Sequence, residues 1–314
     1  MRIGLTGGGS SVDSIVRQAQ QAEADGFSSL WYASAVAGDP LVAMALAGGA
    51  TASIELGTAV LQTYPCHPLL QANRVVAAAN AMGRPGLTLG LGPSHRPIVE
   101  DVLGQSYARP ARNTEEYLRI VGALLRDGDA DFDGQEWSTH SNGRMAKSDH
   151  PIPVLLAALS PRMLTIAGRY ADGVVLWMAA APAIEESIVP VLRAAAIAAG
   201  RPAPRVVAGL PVAVHDDLAA AREAVAATAT GYGAATNFAR IIASGGGASA
   251  ADVAIVGDEA AVQGQLERLI EAGATDVWAQ PVAVGQDREQ RRASLQRTRT
   301  LLSALARATD QSAG

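Results

Sequence analysis

Two polar side chains stand directly after an apolar run in the segment "GLGPSHR" (90–96), where Ser94 and His95 follow a candidate buried strand. An imidazole with an unperturbed pKa of about 6.5 can deliver a proton near neutral pH. A turn that carries a surface imidazole would have the same sequence, and for a single histidine the residues alone favour that interpretation. His95 is therefore a candidate proton donor whose role depends on what surrounds it.

A second group of polar residues follows another apolar run, in "LGTAVLQTYPCHP" (56–68). Those that could edge a pocket are Thr58, Gln62, Thr63 and Tyr64. An ordinary strand exit with a proline-bounded turn would have the same composition. Cys66 has no clear acid/base relay, so we interpret it as a buried or idle thiol rather than a nucleophile.

The third candidate is the junction Leu159-Ser160-Pro161 in "AALSPRMLTIAGRYADG" (157–173). Ser160 suits a helix N-cap and Pro161 suits the first helical position, and Asp39 and Pro40 suit the same two positions of an earlier helix. If the junction lies at the exit of a strand, the unpaired N–H groups and the dipole of the following helix favour an anion. The two functions are compatible, because Ser160 could cap the helix while neighbouring amides hold the anion.

Several other chemistries lack their motifs. The histidines His67, His95, His140, His150 and His215 are scattered without metal-ligand spacing, so no metal is expected. No G-x-S-x-G elbow or Walker loop is present. A formal net charge of −5 without a basic block argues against nucleic acid and anionic membranes as partners. A single cysteine, no signal-like N-terminus and no long apolar run predict a cytoplasmic protein that acts on a small molecule.

Eight short apolar runs alternate with helical patterns along the chain. They are "RIGL" (2–5), "SSLWY" (28–32), "IELGTAVL" (54–61), "GLTLGLG" (86–92), "PVLLAA" (153–158), "GVVLWM" (173–178), "RVVAGLPVAV" (205–214) and "TDVWAQPVAV" (275–284). Continuous apolar runs are typical of parallel strands buried on both faces, so the pattern predicts an α/β fold, a (β/α)8 TIM barrel. A doubly wound open sheet is the alternative, but "GLTGGGSS" lacks the glycine fingerprint of that class.

The barrel is predicted to form a single domain over residues 1–314 with two insertions. After strand four, residues 94–152 hold a helix and a polar, hairpin-like segment, and before strand eight a small-residue loop covers about 231–257. Three helices are predicted to end in left-handed glycine caps, at Gly26, Gly168 and Gly273. The strands after them finish with Trp31, Trp177 and Trp278, which form either core layers or an aromatic wall for a flat ligand.

The same segments carry a family resemblance. They are "AEADGFSSLWY", "DPLVAMALAGGAT", "IELGTAVLQTYPCHPLLQAN", "LTLGLGPSH", "PVLLAALSPRMLTIAGRYADGVVLWM" and "VGDEAAVQGQLERLIEAGATDVWAQP". In their order and content they resemble the luciferase-like oxidoreductases of the bacterial luciferase superfamily, in the branch that uses coenzyme F420, a deazaflavin. The resemblance implies the same barrel with an insertion after strand four, and it implies a homodimer.

The resemblance also implies where the cofactor lies. A flat ring crosses the barrel mouth, supported by a strand-three bulge with a cis peptide that corresponds to Ala59–Val60. Backbone N–H groups of Leu159 and Ser160 would hold the phosphate arm. The remaining ring and ribityl contacts correspond to Ala33, Ser34, Thr58, Gly92, Pro93 and Ser94.

The chain departs from the alcohol-oxidising members of this family. Where they carry an acid and a histidine after strand two, this sequence has Ser34 and Ala35, and His95 replaces their glutamate after strand four. We therefore expect a reductase that passes hydride from reduced F420 to an activated alkene or imine, with His95 as the catalytic proton donor. The alternatives are an FMN-dependent luciferase-like monooxygenase and a non-catalytic deazaflavin-binding protein. A phosphate-handling barrel isomerase or aldolase is disfavoured, because it would need a Lys or Glu base at a strand end.

Overall fold

Eight parallel strands close into a barrel in the computed structural model, which describes residues 1–34, 38–143, 145, 147–229 and 236–311. The strands are β1 Arg2–Thr6, β2 Ser29–Tyr32, β3 Glu55–Thr58, β4 Leu87–Gly92, β5 Val154–Leu156, β6 Gly173–Trp177, β7 Arg205–Val214 and β8 Asp276–Pro281. Each strand pairs with the next along the chain, and β8 pairs with β1. The predicted (β/α)8 barrel is confirmed, and the closing pair rules out the open sheet.

Helices surround the strands, and the longest one that follows each strand is numbered here. The numbered helices are α1 Val12–Ala24, α2 Pro40–Gly49, α3 Pro68–Met82, α4 Pro110–Asp127, α5 Pro161–Tyr170, α6 Val189–Ala198, α7 Glu259–Glu271 and α8 Arg288–Gln311. Asp39 and Ser160 cap α2 and α5 as N-cap residues, and each is followed by a proline in the first turn, as the sequence predicts.

The glycine caps are only partly as predicted. Gly26 and Gly273 have φ angles of +86° and +106°, values that favour glycine. The prediction for Gly168 is wrong, because this residue lies inside α5. A Cβ at Gly168 would lie 2.6 Å from the Leu192 carbonyl oxygen and 2.7 Å from the Ala195 Cβ. Glycine here allows α5 and α6 to pack closely and does not end the helix.

The long segment after β4 contains the barrel helix α4, with a further element before it and another after it. Within residues 94–152 the chain forms a π-helical turn Ile98–Val102, then α4, which packs against α3 and α5, and a hairpin of Asp131–Asp133 and Ser138–His140. The hairpin predicted from the sequence is present. The Glu116 carboxylate of α4 accepts hydrogen bonds from the backbone N–H groups of the hairpin turn, at 2.7–3.1 Å.

The segment of about 231–257, predicted as a small-residue loop, is largely regular in its described part. It contains the helices Thr236–Ser244 and Ala250–Val253 and the strand Ile255–Gly257, which pairs with β7. Residues 231–235 of this prediction lie outside the described residues. The loop prediction is wrong because alanine and serine residues that belong to helices were interpreted as loop residues. The remaining elements are the strand Leu61–Gln62, the short helix Ala181–Ala183, the π-helical turn Ile184–Ile188 and the helix Leu218–Thr228.

The barrel interior is filled by two of the three tryptophans predicted to end strands, although β2 continues past Trp31 to Tyr32 and β8 past Trp278 to Pro281. Trp31 and Trp278 are buried in one cluster with Leu155, Val175 and Val207. Glycines on the paired strands leave room for the indole rings. A Cβ at Gly57 would lie 2.3 Å from Trp31 Cζ3, and one at Gly209 would lie 2.3 Å from Trp278 Cε3. Of the two interpretations, a core layer or an aromatic wall for a ligand, the core layer is therefore correct for Trp31, which is fully buried.

Candidate active site

A bulge interrupts the pairing of β3 with β4 near the barrel mouth. Gly57 pairs with Thr88, and Leu61 of the strand continuation Leu61–Gln62 pairs with Leu91, so the β3 side contains one extra residue. The Thr58 hydroxyl bridges the gap, because it donates to the Gly90 carbonyl at 2.7 Å and accepts from the Gly90 N–H at 2.8 Å. The Ala59–Val60 peptide is cis, as the family resemblance implies.

The bulge and its neighbours form a surface of small side chains. Val60 and Ala157 are half-buried, and Gly92 is buried between them. A Cβ at Gly92 would lie 2.8 Å from Val60 Cγ2 and 3.2 Å from the Ala157 Cβ. The missing Cβ thus leaves a shallow apolar cradle at the carboxyl ends of β3, β4 and β5. This cradle fits one face of a flat ring such as that of F420 or FMN.

Ser94 is held in a specific backbone conformation just beyond the cradle. Its φ angle is +63°, which is uncommon for a residue with a side chain. The Tyr107 hydroxyl donates to the Ser94 carbonyl at 3.0 Å, and the Tyr107 ring lies 5.6 Å from the ring of Tyr64. These contacts fix the loop after β4 to the exit of β3. Pro93, between Gly92 and Ser94 in the sequence, is half-buried.

The β5–α5 turn is the place where the sequence predicts an anion site. The Ser160 side chain accepts from the Met163 N–H at 3.3 Å and so caps α5. The carbonyl of Leu159 accepts from Arg240 Nη2 at 3.4 Å, which brings a guanidinium next to the turn. Helix N-termini favour anions through free N–H groups and the dipole. The role of these residues as phosphate ligands stays a prediction.

His95 lies at the rim of the mouth rather than in its floor. The side chain is exposed, and its ring lies 5.6 Å from the ring of Phe238 in the helix Thr236–Ser244. Partial burial lowers the pKa of His95 below its ordinary value. The imidazole is therefore mainly neutral at pH 7, and the assignment of His95 as proton donor stays a prediction.

The predicted cofactor residues come together at one side of the mouth. They lie at the exits of β2, β3, β4 and β5, which are consecutive neighbours in the barrel. Ala33 and Ser34 are half-buried at the β2 exit, whereas Ala35 lies outside the described residues. Thr58 lies beneath this surface with its hydroxyl occupied by Gly90.

Sequence reasoning missed several residues of the mouth. Tyr107 stands in an irregular polar stretch with no periodic signal, and Arg240 lies in the segment that was predicted as a loop. Gln280 could have been identified from the sequence, because side chains alternate between the two faces of a strand and Gln280 therefore lies on the same face of β8 as Trp278. Among the described residues, no group of His, Cys, Asp or Glu is arranged to hold a metal ion. No described helix has both the length and the apolar character needed to cross a bilayer.

Comparison with known proteins gives one family and a consistent fold. A model of the family described as luciferase-like monooxygenase matches residues 2–304. The chain is 29% identical over 191 residues to a 5,10-methylenetetrahydromethanopterin reductase of Methanolobus tindarius, covering 60% of this chain and 56% of that protein. It is 32% identical over 229 residues to an F420-dependent hydroxymycolic acid dehydrogenase of Mycobacterium tuberculosis, covering 68% and 62%. The matched region thus spans little more than half the length of these curated relatives.

Two solved structures resemble the whole chain. The coenzyme F420-dependent tetrahydromethanopterin reductase of Methanopyrus kandleri superposes with a TM-score of 0.73 at 22% identity, covering 96% of this chain and 97% of that one. The monooxygenase RslO1 of Streptomyces bottropensis gives a TM-score of 0.72 at 19% identity, covering 97% and 99%. At these identities the two structures support the fold alone.

Proposed function

The chain belongs to the luciferase-like monooxygenase family, and within it we propose that it is an F420-dependent oxidoreductase, specifically a reductase of an activated alkene or imine. The observation that carries the proposal is the cradle of Val60, Gly92 and Ala157 at the β3 bulge, which fits a flat ring face. The hydroxymycolic acid dehydrogenase found as a relative supports F420, because it is named as F420-dependent.

When bound in its reduced form, F420 would supply a hydride to the acceptor. Residues of the protein would then have three roles. Val60 and Ala157 orient the ring, the backbone of Leu159 and Ser160 holds the phosphate arm, and His95 delivers a proton to the acceptor from the rim. Positioning of this kind contributes much of the rate in hydride transfer, so a reductase needs few ionisable groups.

The exit of β2 favours reduction over alcohol oxidation. Oxidation of an alcohol requires a base that removes the hydroxyl proton. Ser34 stands where alcohol-oxidising members carry an acid, and a neutral hydroxyl is a poor base at pH 7. A reductase does not need that base, which is why we propose the reductive direction.

Cofactor titration tests the proposal directly. The protein is titrated separately with F420 and with FMN, and binding is followed by the change in cofactor fluorescence. We expect saturable binding of F420 in the micromolar range or tighter and at least about tenfold weaker binding of FMN. Tight binding of FMN alone, with oxygen consumption that depends on reduced FMN, would support the monooxygenase alternative instead. Binding of F420 without oxidation of its reduced form by any enone, imine or quinone would indicate a carrier protein.

We also propose that the protein is a homodimer that buries α2. This helix has no polar residue along its ten positions, and Val42 and Leu46 on its outer face are 59% and 37% exposed. Helices that are apolar on all faces are normally buried. Light scattering after gel filtration should give the dimer mass, and the double variant Val42→Glu with Leu46→Glu should give the monomer mass. Leu295→Glu on α8, an equally exposed leucine, is the control that should stay dimeric.

A further inference from the structure

Strand β8 directs alternate side chains into the barrel. Val277 and Ala279 pack in the outer core between strands and helices, whereas Trp278 belongs to the interior cluster. Because the side-chain period of a strand is two, Gln280 follows Trp278 on the interior face, one step nearer to the mouth. Its neighbour in the pairing with β7 is Pro211, so no charged side chain stands beside it on that strand.

An aromatic floor lies directly below Gln280. The rings of Trp177 and Trp278 are 4.9 Å apart, and Trp278 Nε1 donates to Thr6 Oγ1 at 3.0 Å. Trp177 is half-buried, so part of this floor faces the mouth. The floor lies on β6, β8 and β1, and β8 is opposite β4 of the cradle in the closed ring of eight strands.

The amide of Gln280 is free to bind a ligand. Two other polar side chains of the mouth are engaged, since Thr58 bonds Gly90 and Ser160 bonds the Met163 N–H. The hydrogen bonds formed among the described residues give the Gln280 side chain no partner, and it is half-buried. A side-chain amide that is partly desolvated and unpaired loses hydrogen-bond energy unless a ligand or water satisfies it.

The charge around this floor restricts the ligand class. The interior positions of β1, β6 and β8 near the mouth are Thr6, Trp177, Trp278 and Gln280, and none of them is charged. A carboxylate or phosphate group is normally held by Arg or Lys, or by several aligned N–H groups. An amide above two indole rings instead suits a neutral carbonyl group attached to an apolar body.

We propose that Gln280 is a substrate-binding residue whose amide N–H donates to the carbonyl oxygen of a neutral acceptor lying on Trp177, whose ring packs against the buried Trp278. The inference rests on the proposed reductase function and narrows it to uncharged carbonyl-bearing substrates, such as enones. It also divides the mouth into a cofactor half, on β2 to β5, and a substrate half, on β6, β8 and β1.

The test uses the F420-loaded protein and two small probes, cyclohex-2-enone and fumarate. Calorimetry measures the Kd of each probe with oxidised F420 bound, and a separate fluorescence titration measures the Kd of F420. We expect the wild type to bind the enone more tightly than fumarate. Gln280→Leu should weaken enone binding by about tenfold, the loss of one good hydrogen bond. The Kd of F420 should change by less than about twofold in this variant.

Two further variants make the result specific. Gln280→Arg should reverse the preference, so that fumarate binds more tightly than the enone. Gln296→Leu on the outer helix α8 is the matched control and should leave both probes unaffected. Equal enone binding in wild type and Gln280→Leu, tighter binding of fumarate by the wild type, or no enone binding at all would each overturn the assignment. Failure of F420 to bind would instead contradict the proposed function, and the two results are separate measurements.

Discussion

The two ends of the barrel interior have opposite chemistry. At the amino ends of the strands, Arg205 bonds Glu55 at 2.6 Å and Asp276 at 2.6 Å, and Arg2 bonds the same two carboxylates at 2.7 and 2.8 Å. At the carboxyl ends, the interior positions carry small, aromatic or amide side chains. Charges are thus concentrated where every one of them is paired, and the end proposed to bind ligands is left neutral.

This difference assigns stability to the amino ends of the strands and ligand binding to their carboxyl ends. Burial alone would raise the pKa of Asp276, but the hydrogen bonds and charge of Arg205 lower it below its usual range. The network therefore holds the Asp276 carboxylate ionised in the interior and fixes β1, β3, β7 and β8 to one another. The neutral end has no such constraint and can present a cradle, an unpaired amide and a helix N-terminus to a ligand. In barrels of this class the carboxyl end carries the chemistry and the amino end carries stability.

The largest expected effect comes from breaking the charged end. Arg205→Met would leave Glu55 and Asp276 with the half-exposed Arg2 as their ion-pair partner, and the loss of one partner from a buried ion-pair network costs about 3–5 kcal/mol in the free energy of unfolding. Urea unfolding at pH 7 measures this loss. The Kd of F420, measured well below the unfolding midpoint, should stay unchanged if the two ends are independent.

Arg297→Met is the control for this experiment. Arg297 also bonds two carboxylates, Glu259 and Asp216, but all three side chains are exposed. Exposed ion pairs contribute little because water screens them. Equal destabilisation by the two variants would contradict the view that the network of Arg205 is special to the interior.

The second effect concerns proton delivery at the neutral end. His95→Asn should lower kcat by about 100-fold, the lower limit for loss of a general acid, and leave the urea midpoint unchanged. The protonated donor exists only below its pKa, and burial lowers that pKa below 6.5. In the wild type, kcat should therefore fall as the pH rises through a value below 6.5, and this limb should be absent in His95→Asn. Unchanged turnover in the variant would remove His95 from the mechanism.

The smallest effect concerns the cradle. Gly92→Ala places a methyl group 2.8 Å from Val60 Cγ2, so either the bulge shifts or the ring is displaced. Overfilling of this kind costs about 1–3 kcal/mol, and the lower end of this range corresponds to about fivefold in the Kd of F420. Gly122→Ala in α4 is the matched control, because its Cβ would meet no atom within 4 Å. Tighter F420 binding by Gly92→Ala would show that the ring does not lie on this surface.

The fold could be predicted from the sequence because each step used local information. Continuous apolar runs identified the strands, and Asp39-Pro40 and Ser160-Pro161 marked two helix starts. Gly168 was misjudged because its reason lies in another helix, α6, which no local pattern reveals. For the same reason the sequence did not decide whether Trp31 belongs to the core or to a ligand-binding wall, because the residue that makes room for its ring, Gly57, lies on another strand.

The candidate site was predictable in position more than in detail. The exits of β2 to β5 follow from the fold, and the bulge at Ala59–Val60 came from family resemblance rather than from the residues. A bulge is a change of register between two strands, and register depends on a partner about 30 residues away, so composition alone does not encode it. Gln280 was missed because it stands inside an apolar run that was read as uniformly buried.

The pairs formed by interior tryptophans and glycines have a consequence for how this barrel can change over time. Enlarging Gly57 alone creates overlap with Trp31, and shrinking Trp31 alone leaves a cavity, so each single substitution is costly. A simultaneous change that conserves their total volume avoids both costs. The two positions should therefore vary together among descendants of this sequence, and the same coupling should join Gly209 to Trp278.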